Sequence, residues 1–149
     1  MNTDFPSDTL IQNYWLPTIR AEIAIRAADP DHAGKLLRAA GPYELSSESP
    51  LLPTYIRAEA FLSARKGKAA AAEFQKILQH RGILGNSGVG ALAQLGLARA
   101  YAASGDLANA RTKYESFLAL WKNADQDVPI LKRAQAEYAM IQRSGPYGR

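Results

Sequence analysis

The sequence of 149 residues contains no cysteine and only two histidines. The lack of cysteine excludes disulfides, thiol nucleophiles and thiolate metal sites, and it fits a reducing compartment. No apolar run approaches the roughly 18 residues that a membrane helix needs. The first residues show no basic stretch followed by an apolar one, so no signal peptide is visible. We therefore predict a cytoplasmic protein that is not inserted into a membrane.

Valine is almost as scarce, with two residues, whereas alanine occurs 27 times and leucine 17 times. Alanine and leucine are strong helix formers, and β-branched residues such as valine favour strands. Hydrophobic residues make up 47% of the chain and charged residues 21%, which are ordinary values for a folded protein. The composition therefore predicts an all-α protein, and the length fits one domain over residues 1–149.

Turn signals divide the chain into amphipathic segments that follow one another in pairs. Asp29-Pro30-Asp31 and Ser104-Gly105-Asp106 mark short turns within pairs, and residues 82–88 form a glycine-rich loop. Pro129 suits the first turn of a last helix. The predicted elements are three helix pairs and a closing helix, at about 9–41, 50–80, 88–122 and 127–143.

The second and third pairs repeat each other at an offset of 40 residues, and the first pair follows at an offset of 37. Small residues recur where helices cross, and large residues recur beside them. The equivalent positions of the second and third pairs are Ala58 and Ala98, Phe61 and Tyr101, Ala70 and Ala110, Phe74 and Tyr114, and Ile77 and Phe117. One pair cannot bury its own apolar face, so the pairs are expected to stack.

Residues 97–118 resemble a tetratricopeptide repeat (TPR), with Ala98, Tyr101, Gly105, Ala110 and Tyr114 at the intervals of that family. The period of 40 exceeds the standard 34 because residues 79–90 contain extra loop. The second repeat also departs from the pattern, since Arg65 stands where the turn glycine is expected. The resemblance implies a right-handed solenoid of about three antiparallel helix pairs with a closing helix. It also implies a non-enzymatic role in protein–protein interaction.

Five segments are together similar to the C-terminal repeat region of acidobacterial-type serine/threonine protein kinases and related winged-helix regulators. They are residues 14–21, 72–83, 93–101, 117–122 and 125–131. This similarity implies a sensor or docking part of a bacterial signalling protein. It does not imply a kinase, because His80-Arg81-Gly82 lacks the catalytic aspartate and no phosphate-binding glycine loop is present.

In the TPR family the first helix of each pair lines a concave groove, which suits an extended peptide or a partner helix. The resemblance assigns the groove to twelve residues. They are Trp15, Thr18, Glu22 and Arg26 in the first pair, Leu52, Tyr55, Glu59 and Leu62 in the second, Leu92, Leu95 and Arg99 in the third, and Lys132 in the last helix. Packing in the core is the alternative for the leucines. Exposed apolar residues at one end of the repeats also make a homodimer an alternative.

Motifs for catalysis or cofactor binding are weak. Gly88-Val89-Gly90 begins a relaxed dinucleotide-binding pattern, but that pattern needs a preceding strand, and none is predicted. His32 and His80 have no partner at metal-ligand spacing. Glu22 and Glu59 could form an acid–base pair, but ion pairs with Arg26 and Arg99 respectively are favoured. We therefore predict no enzyme activity, cofactor or metal.

The formal net charge of +4 is divided unevenly, with −3 in residues 1–50 and +7 in residues 51–149. A basic surplus can favour nucleic acid, so a nucleic-acid-binding regulatory domain is one alternative function. The basic residues are scattered along helices, however, and form no long run. Solvated helix faces explain this distribution better.

Overall fold

The computed structural model describes residues 5–45 and 51–143, and within these two ranges all regular elements are helices. In the described residues there are eight α-helices: α1 (Leu16–Arg26), α2 (Pro30–Leu36), α3 (Leu52–Ser63), α4 (Gly67–Gln79), α5 (Arg81–Leu84), α6 (Val89–Ala103), α7 (Leu107–Leu120) and α8 (Pro129–Arg143). A π-helical turn over Ile11–Trp15 leads directly into α1, and a 3-10 helix over Leu37–Tyr43 continues α2. The predicted all-α class is therefore confirmed.

The predicted helix limits agree with the structure to within a few residues in the second and third pairs. Two details differ. The glycine-rich segment contains the short helix α5, which was predicted as loop, and the first pair ends in a 3-10 helix. The predicted start of the second pair at 50, and the predicted domain limits 1 and 149, lie outside the described residues.

The turns within the three pairs have the same backbone structure. Each contains one residue of positive φ, which is Ala28, Arg65 or Gly105 at 60°, 57° and 83°. The amide of the next residue donates to the carbonyl five positions earlier, at 2.8–2.9 Å, as in a Schellman motif. These hydrogen bonds are Asp29 N to Ala24 O, Lys66 N to Phe61 O and Asp106 N to Tyr101 O. The turns are 37 and 40 residues apart, which are the predicted repeat offsets.

Arg65 and Ala28 are less suitable than glycine at these turns, because a residue with a Cβ in the left-handed region costs about 1 kcal/mol. We expect Arg65→Gly to raise the free energy of unfolding by about 0.5–1 kcal/mol, measured by urea denaturation. The reverse change at the equivalent turn, Gly105→Ala, should lower it by a similar amount. Equal stability of wild type and Arg65→Gly would contradict the equivalence of the turns.

The residues that repeat in the sequence form the core. The small residues at two equivalent positions are completely buried in all three pairs: Ala21, Ala58 and Ala98, then Ala33, Ala70 and Ala110. Large residues fill the spaces beside them, and these are Leu37, Phe74 and Tyr114. Small residues bring helix backbones together and large ones fill the remaining volume, so each pair packs closely.

Neighbouring helices in the chain are also neighbours in space. The helices of each pair contact each other, as α1 and α2, α3 and α4, and α6 and α7. Successive pairs are joined through α2 and α3, through α4 and α6, and through α7 and α8. The first helices also touch across the pairs, α1 with α3 and α3 with α6.

Two glycines allow α4 and α6 to approach closely in antiparallel orientation. Near the start of α4, a Cβ on Gly67 would lie 2.8 Å from the carbonyl oxygen of Ala100. Near the middle of α6, a Cβ on Gly96 would lie 2.3 Å from Cζ of Phe74. The longest helices, α6 and α8, have 15 residues each, and no helix in the described residues is long and apolar enough to cross a membrane.

Candidate functional site

One repeat position carries charge on three successive first helices. Glu22 on α1, Glu59 on α3 and Arg99 on α6 are separated by the repeat offsets of 37 and 40, and all three are half-buried. Glu137 on α8 extends the series through its contact with Arg99. We call these four residues the polar row. Because equivalent positions lie on adjacent first helices, the fold places their charges side by side.

The polar row is held by specific hydrogen bonds. Nε and Nη2 of Arg99 donate to the two carboxylate oxygens of Glu137 at 2.9 and 3.0 Å. The Tyr114 hydroxyl donates to the same carboxylate at 3.0 Å. Burial, together with the negative charge of Glu137, raises the pKa of Tyr114 above its ordinary value, so the hydroxyl stays protonated. This bidentate geometry fixes the guanidinium and neutralises Glu137.

The predicted ion pair between Glu22 and Arg26 is confirmed, with 2.9 Å between Oε1 and Nε. The predicted ion pair between Glu59 and Arg99 is wrong, because the guanidinium of Arg99 pairs with Glu137. Sequence alone does not decide between these carboxylates, because the choice depends on how α6 is oriented toward α3 and α8.

Glu59 consequently has no direct ionic partner among the residues that the structure describes. Its Oε1 atom is buried and has no hydrogen-bond partner in the described structure. Burial raises the pKa of the Glu59 carboxyl, and the charge of Arg99 and a hydrogen bond from Tyr55 oppose this only in part. A buried carboxylate with an unused oxygen is stabilised by any cation that reaches it. The polar row therefore contains a carboxylate oxygen that the described contacts leave unsatisfied.

Glu59→Gln should make the protein more stable than wild type at neutral pH. The folded-state pKa of Glu59 lies above its ordinary value near 4.5, so the folded protein holds the proton more strongly than the unfolded chain. The free energy of unfolding of the wild type therefore falls as pH rises through the folded-state pKa of Glu59. Glutamine does not titrate, so the variant shows no such fall. Urea denaturation between about pH 4 and pH 8 should show the advantage of Glu59→Gln growing with pH.

Asp127→Asn is the matched control for that series, because the Asp127 side chain is 87% exposed. Its difference from wild type should stay below about 1 kcal/mol throughout the series, because exposed ion pairs contribute little. If Glu59→Gln is no more stable than wild type at any pH, the conclusion that the Glu59 carboxylate is unsatisfied is wrong.

The other predicted groove residues fall into two groups. Thr18 and Leu95 are 2% and 1% exposed, so neither offers surface to a partner. The Thr18 hydroxyl donates to the carbonyl of Tyr14 at 2.6 Å, and Leu95 packs in the core of the third pair. At the other extreme, Arg26 is exposed, and exposed Lys132 pairs with Asp127 at 2.7 Å.

The remaining predicted residues are half-buried, which means that each has both a packed and a free side. Tyr55 lies edge-on to Phe74, with 5.7 Å between ring centroids, and Trp15 lies edge-on to Tyr14 at 4.9 Å. The leucines that share this partial burial are Leu52, Leu62 and Leu92. Leu52 and Leu62 pack against core clusters, so core packing accounts for part of the predicted set.

A second charged cluster was not predicted from the sequence. Glu44, which is 2% exposed, pairs with Arg57 of α3 and with Lys76 of α4, the latter at 2.7 Å. Arg57 also donates to Glu73 at 2.7 Å. Burial alone would raise the pKa of the Glu44 carboxyl, but hydrogen bonds and charges from Arg57 and Lys76 hold it below its ordinary value. Every charge here is compensated, so the cluster stabilises the join between the first two pairs.

The cofactor and metal motifs gain no supporting geometry. Val89 begins α6, and no strand precedes it in the described part of the chain, so the glycines there do not form a dinucleotide-binding unit. Nδ1 of His80 contacts the carbonyl oxygen of Lys76 at 2.8 Å, as a local helix-end contact. The described ranges contain no group of three or more histidine or acidic residues that could hold a metal.

No family model matches the chain, and no curated protein or solved structure matches it either.

Proposed function

We propose that this chain is a TPR-like, non-enzymatic module that binds a segment of another protein through the polar row. The bound segment carries a lysine or arginine whose charge meets Glu59. The sequence similarity to the repeat regions of bacterial signalling kinases supports a sensor or docking role.

Repetition of structure supports the TPR-like part of the proposal. The three turns share one hydrogen-bond pattern at the repeat offsets, and the aligned alanines are buried in every pair. Each second helix also packs on the next first helix, as expected for stacked repeats. Such stacking would form an extended face from the first helices, where the polar row lies.

Binding is supported best by the Oε1 atom of Glu59, which is buried and has no hydrogen-bond partner among the described residues. A carboxylate in this state lowers the stability of the free protein, and residues kept at such a cost are typical of binding sites. The Arg99–Glu137 pair is already neutral, and Arg26 neutralises Glu22. Glu59 therefore supplies the uncompensated charge, and a basic side chain is the group that complements it.

Selection of peptides from a phage-displayed random library on the wild-type protein tests the proposal. We expect enriched peptides to share a lysine or arginine beside apolar residues. Their affinity, measured by fluorescence anisotropy, should fall at least about tenfold in Glu59→Gln and stay unchanged in Asp127→Asn. Enriched peptides without a basic residue, or equal affinity for Glu59→Gln and wild type, would refute it.

Self-association is the second candidate, and a specific feature of α1 favours it. Ile19 and Ile23 are 46% and 60% exposed, although their equivalents in α3, Ile56 and Ala60, are 7% and 3% exposed. In α3 and α6 this face is covered by the second helix of the preceding pair. On α1 the corresponding face is open and apolar, which favours a contact with a second copy.

Light scattering on wild type and on the double variant Ile19→Asp with Ile23→Asp tests this candidate. A wild-type dimer that becomes a folded monomer in the double variant would support it. A wild-type monomer at high concentration would exclude it.

A further inference from the structure

The segment that extends the repeat offset to 40 residues between the second and third pairs builds one wall of a groove. Helix α5 and the glycines after it lie between α4 and α6 in the chain. A cavity of about 310 Å³ lies against this segment, lined by Leu78, Arg81, Leu84, Gln94 and Leu120 among others. A second cavity of about 290 Å³ shares Leu78, Arg81 and Gln94 with the first. We call the two adjoining cavities the outer groove.

The outer groove is positively charged. Arg81 lines both cavities and Lys113 lines the second, whereas none of the described aspartates and glutamates lines either. Neither cation takes part in an ion pair within the described residues. Two uncompensated cations in one groove attract a ligand with carboxylates.

Uncharged polar groups lie between the two cations. Gln94 is only 8% exposed, yet its side chain lines both cavities. Gln79 lines the second cavity, and Gln75 there donates to the Tyr101 hydroxyl at 2.8 Å. Side-chain amides offer both donors and acceptors, which suits the peptide groups of an extended chain.

An apolar surface adjoins these polar groups. Leu120, at the end of α7, is 68% exposed and lines the first cavity beside Leu78 and Leu84. An exposed leucine next to two half-buried or buried ones provides contact for an aliphatic side chain. The groove therefore combines cationic, amide and aliphatic groups.

The equivalent groove one pair earlier differs in charge compensation. It lies between α2 and α3 and includes Asp31, Arg57 and Lys66. Lys66 pairs with Asp31 at 3.2 Å, and Arg57 pairs with Glu44 and Glu73. Lys35 and Arg38 also line the earlier groove and have no ion pair among the described residues. The earlier groove therefore differs from the outer groove in containing a carboxylate, Asp31, which repels an acidic ligand.

We propose that the outer groove is a second docking site, which binds an acidic segment of a partner protein that also carries aliphatic side chains. Carboxylates of the segment pair with Arg81 and Lys113, and an aliphatic side chain packs on Leu78 and Leu120. This site is separate from the polar row, so a basic segment and an acidic segment bind to different parts of the molecule.

The test uses a fluorescein-labelled peptide of eight residues in which aspartate and leucine alternate, titrated with the full chain and followed by anisotropy. We expect binding that is much tighter than that of the same peptide with asparagine in place of aspartate. Arg81→Glu and Lys113→Glu should each weaken binding at least about tenfold, and Leu120→Ser should weaken it measurably. Thermal unfolding verifies that each variant is folded.

Lys35→Glu is the matched control, because Lys35 lines the earlier groove and the change alters net charge equally. It should leave the affinity unchanged, and Glu59→Gln should do the same, which separates this site from the polar row. Equal weakening by Lys35→Glu would show general attraction by charge and overturn the proposal. Equal binding of the asparagine peptide would also overturn it. Binding of the fatty acid decanoate without binding of the aspartate peptide would overturn it as well, because the groove would then not select a peptide.

Discussion

Glu44→Gln is expected to lower the free energy of unfolding by about 3 kcal/mol at neutral pH. The carboxylate is almost completely buried and accepts from Arg57 and Lys76, so it joins the end of the first pair to α3 and α4. The variant leaves the Arg57 guanidinium, which is 19% exposed, with Glu73 as its one ionic partner among the described residues. Removing one member of a buried ionic cluster costs more than the cluster itself contributes, because the remaining charge is desolvated.

Urea denaturation measures this loss, and Glu22→Gln is its control. The Glu22–Arg26 pair is largely exposed, at 36% and 79%, so its removal should cost less than about 1 kcal/mol. The pKa of Glu44 is depressed in the folded state, so its contribution is present above its ordinary pKa near 4.5 and lost as pH falls. The gap between wild type and Glu44→Gln should therefore close on acidification. A gap that is unchanged at low pH would contradict the assigned ion pairs.

Gly96→Ala should destabilise the protein by about 2–3 kcal/mol, although alanine is the better helix former by about 1 kcal/mol. The new Cβ would lie 2.3–2.7 Å from three ring atoms of Phe74. Phe74 is completely buried, so its ring can move only by displacing the side chains that pack against it. Overpacking thus outweighs helix propensity, and the sign of the change distinguishes the two effects.

Gly34→Ala is the matched control, because this glycine lies within α2 and a Cβ there would meet nothing within 4 Å. It should stabilise the protein by up to about 1 kcal/mol. In a Phe74→Leu background, Gly96→Ala should cost less, giving a coupling energy above about 0.5 kcal/mol in the double-mutant cycle. Additive effects of the two substitutions would argue against direct contact.

The helix limits were predictable where local chemistry sets them. Asp106 caps α7 by accepting from the amide of Asn109, and Gly105 supplies the positive φ that ends the preceding turn. Pro129 lies in the first turn of α8, as predicted, although the helix begins two residues after the predicted start at about 127. Burial of Ala70 and Ala110 followed from the repeat alone, because equivalent positions meet equivalent neighbours. Each of these signals acts over a few residues or recurs at a fixed period.

The parts that were not predicted depend on distances across the fold. Glu44 reaches Lys76 over 32 residues, and Arg99 reaches Glu137 over 38. Several carboxylates compete for each cation, and the sequence does not rank them, because helix orientation decides the contact. Thr18 and Leu95 were assigned to the groove from a family pattern that does not specify how deeply each first helix is buried. Helix α5 was missed because two glycines flank its short apolar core.

The contacts between consecutive helices have a consequence for how the molecule opens. Helix α8 has described neighbours on fewer sides than α4 and α6, so fraying at this end should begin with α8 and leave the middle pair intact. Amide exchange would then report a gradient of protection from α8 inward to α6. At the other end the Glu44 cluster fastens the first pair to α3 and α4, so these elements should open together as one larger unit. The chain thus combines one end that frays gradually with another that opens abruptly.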